Sequence, residues 1–255
     1  MANTLFNRFS SAIHNFKGDA SSPSLLLASE GPLSVYYAPF DWVNPSARVV
    51  LVGITPGRAQ AVNALQEAKR QLGQGATPEI ALQRAKQTAG FSGAMRPNLT
   101  AMLDKIGLAT WLRIADCNAL FGEASNLMQT AAVLPFPVFM GGENYNGSPD
   151  VVGTPLLQSL MLEHFVPVLR ALPTAVFFPL GPVPSKALTW LAANGHVQPC
   201  QVLQGLPHPS GANAERIQYF LGRKEADKLS AKTDPKKIDA ARLTLTAAVG
   251  ALRHA

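Results

Sequence analysis

The segment Arg48–Gly53, with the sequence RVVLVG, constrains the fold of this chain more than any other stretch. It is a short run of apolar, mostly β-branched residues that ends at Gly53 and is followed by Pro56. This pattern is typical of a strand buried on both faces. Such strands belong to parallel sheets, because helices cover the two faces of a parallel sheet. The segment therefore predicts an α/β fold.

Strands and helices alternate along the rest of the chain. Apolar runs predict three further strands, at 112–120, 175–180 and 201–206. Helical periodicity predicts two helices within 60–89 and others at 97–106, 156–172, 185–193, 214–229 and 236–252. This order predicts a three-layer α/β/α sandwich around a mostly parallel, four-stranded sheet. We expect one domain over 1–255, with a core at about 45–240 and helical extensions at both ends.

Composition and charge exclude several classes of protein. Hydrophobic residues make up 47% of the 255 residues and charged residues 15%, against roughly 25% charged in an ordinary domain. The chain can therefore bury a large core. The longest apolar run, Ala131–Met140, is interrupted by two prolines and is shorter than the ~20 residues that span a membrane. With no secretory signal visible, we expect no membrane contact and a cytoplasmic or nucleoid-associated protein, or a nuclear or organellar one in a eukaryote.

Cysteines, histidines and charge narrow the chemistry further. Cys117 and Cys200 are the two cysteines, too few for a four-thiolate zinc or iron–sulfur site, and we expect both to be buried free thiols. The histidines lack metal-ligand spacing, so no metal and no cofactor are expected. Of the net charge of +6, the segment from Arg223 to the end carries +4. This distribution fits contact with a polyanion, and it fits a solvated helix face equally well.

Polar or glycine- and proline-rich groups follow three of the predicted strands. They are GITPG at 53–57, DCNAL at 116–120 and LPHPSGAN at 206–213. Ligands of parallel α/β sheets bind outside the carboxyl ends of the strands, so these groups are expected to meet in one site. Asp116 and Asn118 are two residues apart on a predicted strand and should share a face. Asn98 is the expected N-cap of the helix at 97–106.

Taken in order, these segments resemble the uracil-DNA glycosylase superfamily. GITPG is similar to the first motif of that superfamily, and HPSGAN at 208–213 is similar to its His-Pro-Ser loop. The resemblance covers roughly 45–240 and includes matching segments at 91–93, 96–99, 117–120, 177–188 and 219–229. Residues 60–89 and 135–153 look like insertions relative to compact members.

The resemblance implies a reaction and a partner. A DNA glycosylase of this type flips a base out of the DNA and hydrolyses the N-glycosidic bond of uracil or a related deaminated base, the first step of base excision repair. The expected partner is single- or double-stranded DNA, and the protein is expected to be a monomer. The resemblance places Phe91 against the flipped base and Asn118 at its Watson–Crick edge. The backbone N–H groups of Ile54 and Thr55 would bind its O2 atom, and Gly53 would belong to the same base-binding segment.

The resemblance also assigns the catalytic and DNA-binding groups. His208 would donate a hydrogen bond to the departing base as negative charge builds on it. Ser210, Gly211, Ala212 and Asn213 would contact the DNA.

Thr55 departs from the superfamily pattern, in which Asp or Asn at this position holds the attacking water. A threonine hydroxyl holds a water but has no charge and is no base near neutral pH. Slow cleavage, or none, is therefore expected. Asp116 is a candidate substitute, and the other interpretation of it is an ion pair or a turn contact. Glu143 and Asn144 lie in a glycine-rich loop that either overhangs the pocket or is a surface excursion.

Three functions remain open from the sequence. The first is a uracil-DNA glycosylase-type hydrolase. The second is a relative that binds DNA or a nucleobase without cleaving it, which the threonine at position 55 favours. The third is a different α/β enzyme that acts on small nucleotides, because a shared fold does not decide function.

Overall fold

The computed structural model of the protein describes residues 4–90 and 95–252. The chain divides into two compact units, each built from several segments. The first unit contains residues 4–43, 53–90 and 131–171, and the second contains residues 44–52, 95–130 and 172–252. The single domain expected over 1–255 stays a prediction.

The described strands form two sheets. In chain order the strands are β1 (Leu26–Glu30), β2 (Leu33–Tyr36), β3 (Val49–Gly53), β4 (Met128–Ala132), β5 (Val138–Met140), β6 (Glu143–Asn144) and β7 (Val176–Pro179). One sheet has the strand order β4-β3-β7, and the other has the order β1-β2-β5-β6.

Helices occupy most of the predicted positions. They are α1 (Thr4–Arg8), α2 (Ser10–His14), α3 (Arg58–Gly73), α4 (Pro78–Ala89), α5 (Met95–Lys105), α6 (Leu108–Leu112), α7 (Pro155–Leu160), α8 (Val166–Ala171), α9 (Pro182–Ala193), α10 (Ala214–Phe220) and α11 (Pro235–Ala251). Only the helix predicted at 214–229 is much shorter than expected. It stops near Gly222, whose φ of +73° is a left-handed conformation that ends helices.

The sheet β4-β3-β7 confirms the predicted α/β class. β3 pairs with β7 in parallel, in a register that runs from Val49 opposite Val176 to Val52 opposite Pro179. The backbone bonds from Arg48 to Leu127 show that β4 begins beside the start of β3. The residues of β3 from 49 to 52 are fully buried, which confirms a central strand covered on both faces.

The core of the second unit explains why its helices form where they do. Val49 and Leu51 project from one face of β3 into a cluster with Phe178 of β7. Leu99 of α5 and Leu245 of α11 pack into the same cluster. Alternate residues of the strands thus meet the apolar stripes of two helices.

The strand predicted at 112–120 is wrong. Residues Cys117–Phe121 form a 3-10 helix, and the carboxylate of Asp116 caps it by accepting a hydrogen bond from the N–H of Asn118 at 2.8 Å. Cys117 and Leu120 are buried, and their spacing of three residues matches one face of a 3-10 helix rather than a strand. Asp116 and Asn118 therefore do not share a strand face.

The strand predicted at 201–206 is also wrong. Val202 makes one isolated parallel bridge to Phe177, and the ladder goes no further. Gly205 turns the chain with a φ of +119° and so ends any extension of this segment. Within the described ranges, the parallel sheet accordingly contains three strands instead of four.

The second sheet lies in the first unit and was not foreseen from the sequence. Its strands are antiparallel, with β2 pairing with both β1 and β5. β5 and β6 form a tight hairpin in which Met140 lies opposite Glu143. Gly141 and Gly142 connect them with φ values of +58° and +85°. Two consecutive positive φ angles suit a two-residue hairpin turn and explain the paired glycines.

Candidate functional site

The GITPG segment follows β3 and belongs to the first unit. The carbonyl oxygens of Gly53 and Ile54 accept hydrogen bonds from the N–H groups of Val133 and Leu134. The Thr55 hydroxyl donates to the carbonyl oxygen of Phe136 at 2.8 Å. The hydroxyl oxygen of Thr55 also accepts a hydrogen bond from the N–H of Val138 at 3.2 Å.

This geometry gives the Thr55 side chain a structural role. A hydroxyl can donate one hydrogen bond, and the Thr55 hydroxyl donates it to the carbonyl oxygen of Phe136. To hold a water as expected, the Thr55 oxygen would have to accept a second hydrogen bond, from that water. The side chain therefore cannot both orient a water by donation and keep its bond to the chain.

The glycine-rich loop that carries Glu143 and Asn144 is held against the start of α3. The Asn144 side-chain oxygen accepts from the N–H of Arg58 at 2.9 Å. The Arg58 guanidinium donates to the carbonyl oxygen of Gly142 at 2.6 Å. The same guanidinium lies 4.3 Å from the ring centre of Phe139, within cation–π distance. These contacts make the loop a hairpin packed within the first unit, and a position of this loop over a ligand pocket stays a prediction.

His208 lies in the second unit, within the segment 206–213, which we call the His208 loop. Its Nδ1 atom accepts a hydrogen bond from the N–H of Ser210 at 3.3 Å. Burial lowers the pKa of His208 below its usual value, so the ring is neutral at neutral pH. Because Nδ1 accepts, the proton of the neutral ring is assigned to Nε2. Among the described residues, Nε2 has no hydrogen-bond partner and is available as a donor.

Gly181 makes room for the His208 ring. It follows β7 with a φ of +96°, which glycine adopts without strain. A Cβ atom at this position would lie 3.6 Å from the Cβ of His208 and 3.7 Å from its Cδ2. His208 thus packs against the backbone just beyond the carboxyl end of a parallel strand, which is where α/β sheets place ligand-binding groups.

Polar contacts stabilise the rest of the His208 loop. Asn98 donates from its side-chain amide to the carbonyl oxygen of Pro209 at 3.0 Å. Asn213 bonds the backbone oxygen of Ser210 at 2.9 Å and its hydroxyl at 3.3 Å. Residues Gly211–Asn213 form a 3-10 turn, and Gly211 and Ala212 are exposed at its tip. The loop therefore presents two small residues on a fixed base.

Asn98 differs from its expected role. It lies inside the first turn of α5, which begins at Met95, so it is not the N-cap. Its side chain is instead the link between α5 and the His208 loop. In the sequence, Asn98 lies in the segment 96–99, one of the segments that resemble the uracil-DNA glycosylase superfamily.

The structure describes the two predicted base-reading residues unequally. Asn118 is exposed on the 3-10 helix of the second unit. Phe91 falls outside the described residues. The stacking and base-pairing roles of these residues stay predictions, as do the base contacts of Gly53 and Ile54.

The basic segment after Arg223 is partly neutralised by Glu215. The Glu215 carboxylate accepts from Lys224 at 2.8 Å and from the hydroxyls of Ser230 and Thr233 at 2.6 Å each. These bonds hold the pKa of Glu215 well below its usual range, with the Lys224 bond as the largest cause. Exposed cations remain along this segment, at Arg223, Lys228, Lys232, Lys236 and Lys237.

The remaining expectations concern thiols, metals and membranes. Both cysteines are free, and Cys117 is buried, but Cys200 is exposed because it lies in a surface 3-10 turn. Burial raises the pKa of the Cys117 thiol. Residues 4–90 and 95–252 contain no group of three or more His, Cys, Asp or Glu able to hold a metal ion. No helix in these ranges is long and apolar enough to span a bilayer.

One comparison with known proteins identifies a relative. The chain is 36% identical over 212 residues to the uncharacterized protein YoxB of Bacillus subtilis strain 168. The match covers 82% of this chain and 83% of YoxB. The chain therefore belongs to the YoxB family. No family model matches the sequence, and no solved structure matches it.

Proposed function

We propose that the protein is a DNA glycosylase of the uracil-DNA glycosylase type, with the three-layer α/β/α fold of that superfamily. Its substrate would be uracil or a related deaminated base in DNA. The observation that carries the proposal is the geometry of His208. The ring is neutral, its Nδ1 accepts from Ser210, and its Nε2 has no hydrogen-bond partner among the described residues.

A neutral imidazole held in this way suits the departure of a base. As the N-glycosidic bond breaks, negative charge develops on the carbonyl oxygen of the leaving base. A fixed N–H donor at that oxygen stabilises the transition state more than the ground state, by ~3 kcal/mol for one donor. The Ser210 bond supports this role, because it fixes the proton on Nε2.

Other features of the second unit support DNA as the partner. Gly211 and Ala212 project from the His208 loop with side chains small enough to approach a duplex. Ser210 and Asn213 form the base of the same turn and would contact the phosphates. The exposed cations after Arg223 would add attraction that does not depend on sequence. In the proposal, Asn118 reads the Watson–Crick edge of the base with its amide.

The contacts of Thr55 favour a second candidate function. Its hydroxyl is bonded to Phe136 and Val138, and it has no carboxylate to stabilise a cationic sugar. A protein with these properties would bind a deaminated base in DNA and cleave it slowly or not at all. We therefore expect weak cleavage, and binding without cleavage is the alternative.

A glycosylase assay tests the proposal. End-labelled single- and double-stranded oligonucleotides with one uracil are incubated with the protein, and abasic sites are then cleaved with alkali. We expect strand breaks that fall about a hundredfold in rate for His208→Ala, which removes the N–H donor. The matched control is His14→Ala, because His14 is exposed and bonds the backbone of its own helix.

The other outcomes separate the remaining functions. Tight binding of the uracil oligonucleotide without strand breaks would support the non-cleaving relative. Neither binding nor breaks would contradict both DNA functions and favour an enzyme of small nucleotides. Strand breaks that persist unchanged in His208→Ala would show that His208 is not the donor to the leaving base.

A further inference from the structure

The first unit contains a second feature, a cavity of about 220 Å³. It lies at the carboxyl end of β4, where Ala131 and Ala132 form part of its wall. Its other apolar walls include Phe136 and Val168. Four ionisable residues also line it, namely Asp41, Lys86, Glu163 and His164. An apolar cavity with a few converging polar groups has the make-up of a small-molecule site.

Lys86 is the buried nucleophile of this cavity. It projects from α4 and is only 7% exposed, and its ammonium group donates to the carbonyl oxygen of Phe40. Burial lowers its pKa to about 8, against the opposing effect of the nearby Asp41 carboxylate. A lysine of this kind is roughly two hundredfold richer in the neutral, nucleophilic amine at pH 7 than one with the usual pKa near 10.4.

Asp41 is fixed on the same side of the cavity. The hydroxyl of Tyr37 donates to its carboxylate at 3.1 Å. Tyr37 is fully buried, and burial together with Asp41 raises its pKa well above the usual value, so it remains a donor. The cavity thus holds one lysine next to one carboxylate whose orientation is set by a phenol.

His164 and Glu163 reach the cavity through an unusual helical turn. Residues Met161–Phe165 form a π-helix between α7 and α8. Such turns are uncommon and recur at functional sites. The His164 ring packs edge-on against Phe136, with ring centres 4.9 Å apart. The Glu163 side chain is 72% exposed, so the cavity opens to solvent on that side.

His164 supplies a group that can carry protons. Burial lowers its pKa, and Glu163 at 3.7 Å opposes that shift. A neutral imidazole at neutral pH can accept a proton and return it. The cavity therefore combines an amine, a carboxylate and an imidazole within apolar walls.

We propose that this cavity binds a small aldehyde or ketone, which Lys86 captures as an imine. The amine of Lys86 adds to the carbonyl carbon, and the carbonyl oxygen takes up protons and leaves as water. One C=O bond is replaced by one C=N bond, one water is released, and no oxidant or reductant is needed. In this proposal His164, which lines the same cavity, takes a proton from the lysine ammonium and returns it to the departing oxygen.

The size of the cavity selects the ligand class. A volume of about 220 Å³ admits a small free molecule, not a polymer chain. The phenylalanine, valine and alanine walls favour a ligand with an apolar or aromatic body. The site shares no residue with the His208 loop, so it goes beyond the proposed glycosylase and can be tested separately.

Reductive trapping with benzaldehyde tests this site. The intact protein is mixed with benzaldehyde and sodium cyanoborohydride, and benzylated lysines are located by peptide mass spectrometry. We expect Lys86 to be labelled about tenfold faster than Lys69, since burial slows access and offsets part of the gain in neutral amine. Lys69 is a matched comparison because its ammonium also donates to a backbone carbonyl, that of Phe16 at 2.8 Å, yet the residue is exposed.

Two variants complete the test. Lys86→Arg should lose the fast label while Lys69→Arg keeps it. Ala132→Leu keeps the lysine but narrows the cavity, and we expect it to slow labelling of Lys86 about tenfold with the circular dichroism spectrum unchanged. Lys86 labelled no faster than Lys69 in the unaltered protein would overturn the proposal. Equal labelling in Ala132→Leu would overturn it as well.

Discussion

The hydroxyl of Thr55 lies 2.8 Å from the carbonyl oxygen of Phe136 and donates a hydrogen bond to it, which joins the middle of the GITPG segment to the residues that connect β4 with β5. The N–H of Val138 completes the arrangement by donating to the same hydroxyl. A residue that only held a catalytic water would not need the hydrogen bonds to Phe136 and Val138. At this position the threonine side chain holds the backbone of Phe136 and Val138 in place.

Thr55→Val should destabilise the protein by about 1 to 3 kcal/mol, because it leaves two backbone groups without their partner. Valine has nearly the shape of threonine, so the loss reports on the hydroxyl. Urea unfolding measures the change. Thr55→Ser keeps the hydroxyl, and a serine variant as unstable as the valine variant would assign the effect to the lost methyl group instead.

Gly205→Ala should be strongly destabilising. Gly205 has a φ of +119°, and a Cβ there would lie 2.8 Å from the Cβ of Ala241 in α11. Backbone strain and overpacking add, for a cost of about 2 to 4 kcal/mol. Gly73→Ala is the control, since Gly73 is a helical glycine with nothing within 4 Å of an added Cβ. That variant should be stabilised by roughly 0.5 to 1 kcal/mol, as thermal or urea unfolding would record.

Stability should fall as the pH drops below about 6.5, the usual histidine pKa. Burial lowers the pKa of both His208 and His164. The unfolded chain therefore binds protons at a higher pH than the folded chain does, which favours unfolding on acidification. The loss begins near the usual pKa and levels off below the lowered one. His208→Gln and His164→Gln should each flatten part of this decline, and a double variant with an unaltered pH profile would contradict the assignment.

Glu215→Gln should loosen the segment from Lys224 to Thr233. The carboxylate binds one ammonium and two hydroxyls of that segment, and an amide cannot replace all of these contacts. We expect faster trypsin cleavage at Lys228 and Lys232 with little change elsewhere. Asp227→Asn, a similar loss of charge on an exposed residue of the same segment, should leave the cleavage rate as it was.

Local sequence signals were enough for the central strand and the helices around it. The apolar run of β3 and the helical periods of α3 and α4 are contained within short windows. Thr77, which lies between those helices, caps α4 by accepting a hydrogen bond from the N–H of Ile80. A strand or helix could be predicted where its hydrophobic pattern lies within its own residues, because no contact with a distant residue opposes that pattern.

The errors came from side-chain caps, backbone turns and long-range contacts that the composition of a segment does not reveal. The segment around Asn118 resembles a strand in composition, but Asp116 caps it and Asp104 accepts from the N–H of Cys117 at 2.8 Å, and together these bonds favour a 3-10 turn. The cavity of the first unit could not be predicted from the sequence either. Lys86, Asp41 and His164 come from three separate segments, and no spacing in the sequence connects them.

The interleaving of the two units has a consequence for how the protein is made. A ribosome completes the last segment of the first unit only at residue 171, after residues 44–52 and 95–130 of the second have already emerged. Those residues of the second unit cannot complete their fold until residues 172–252, which contain β7 and the His208 loop, have been synthesised. Neither unit can be produced by cutting the gene at one point. A ribosome-bound chain halted near residue 171 should therefore expose β3 without its partner β7 and depend on chaperones until synthesis continues.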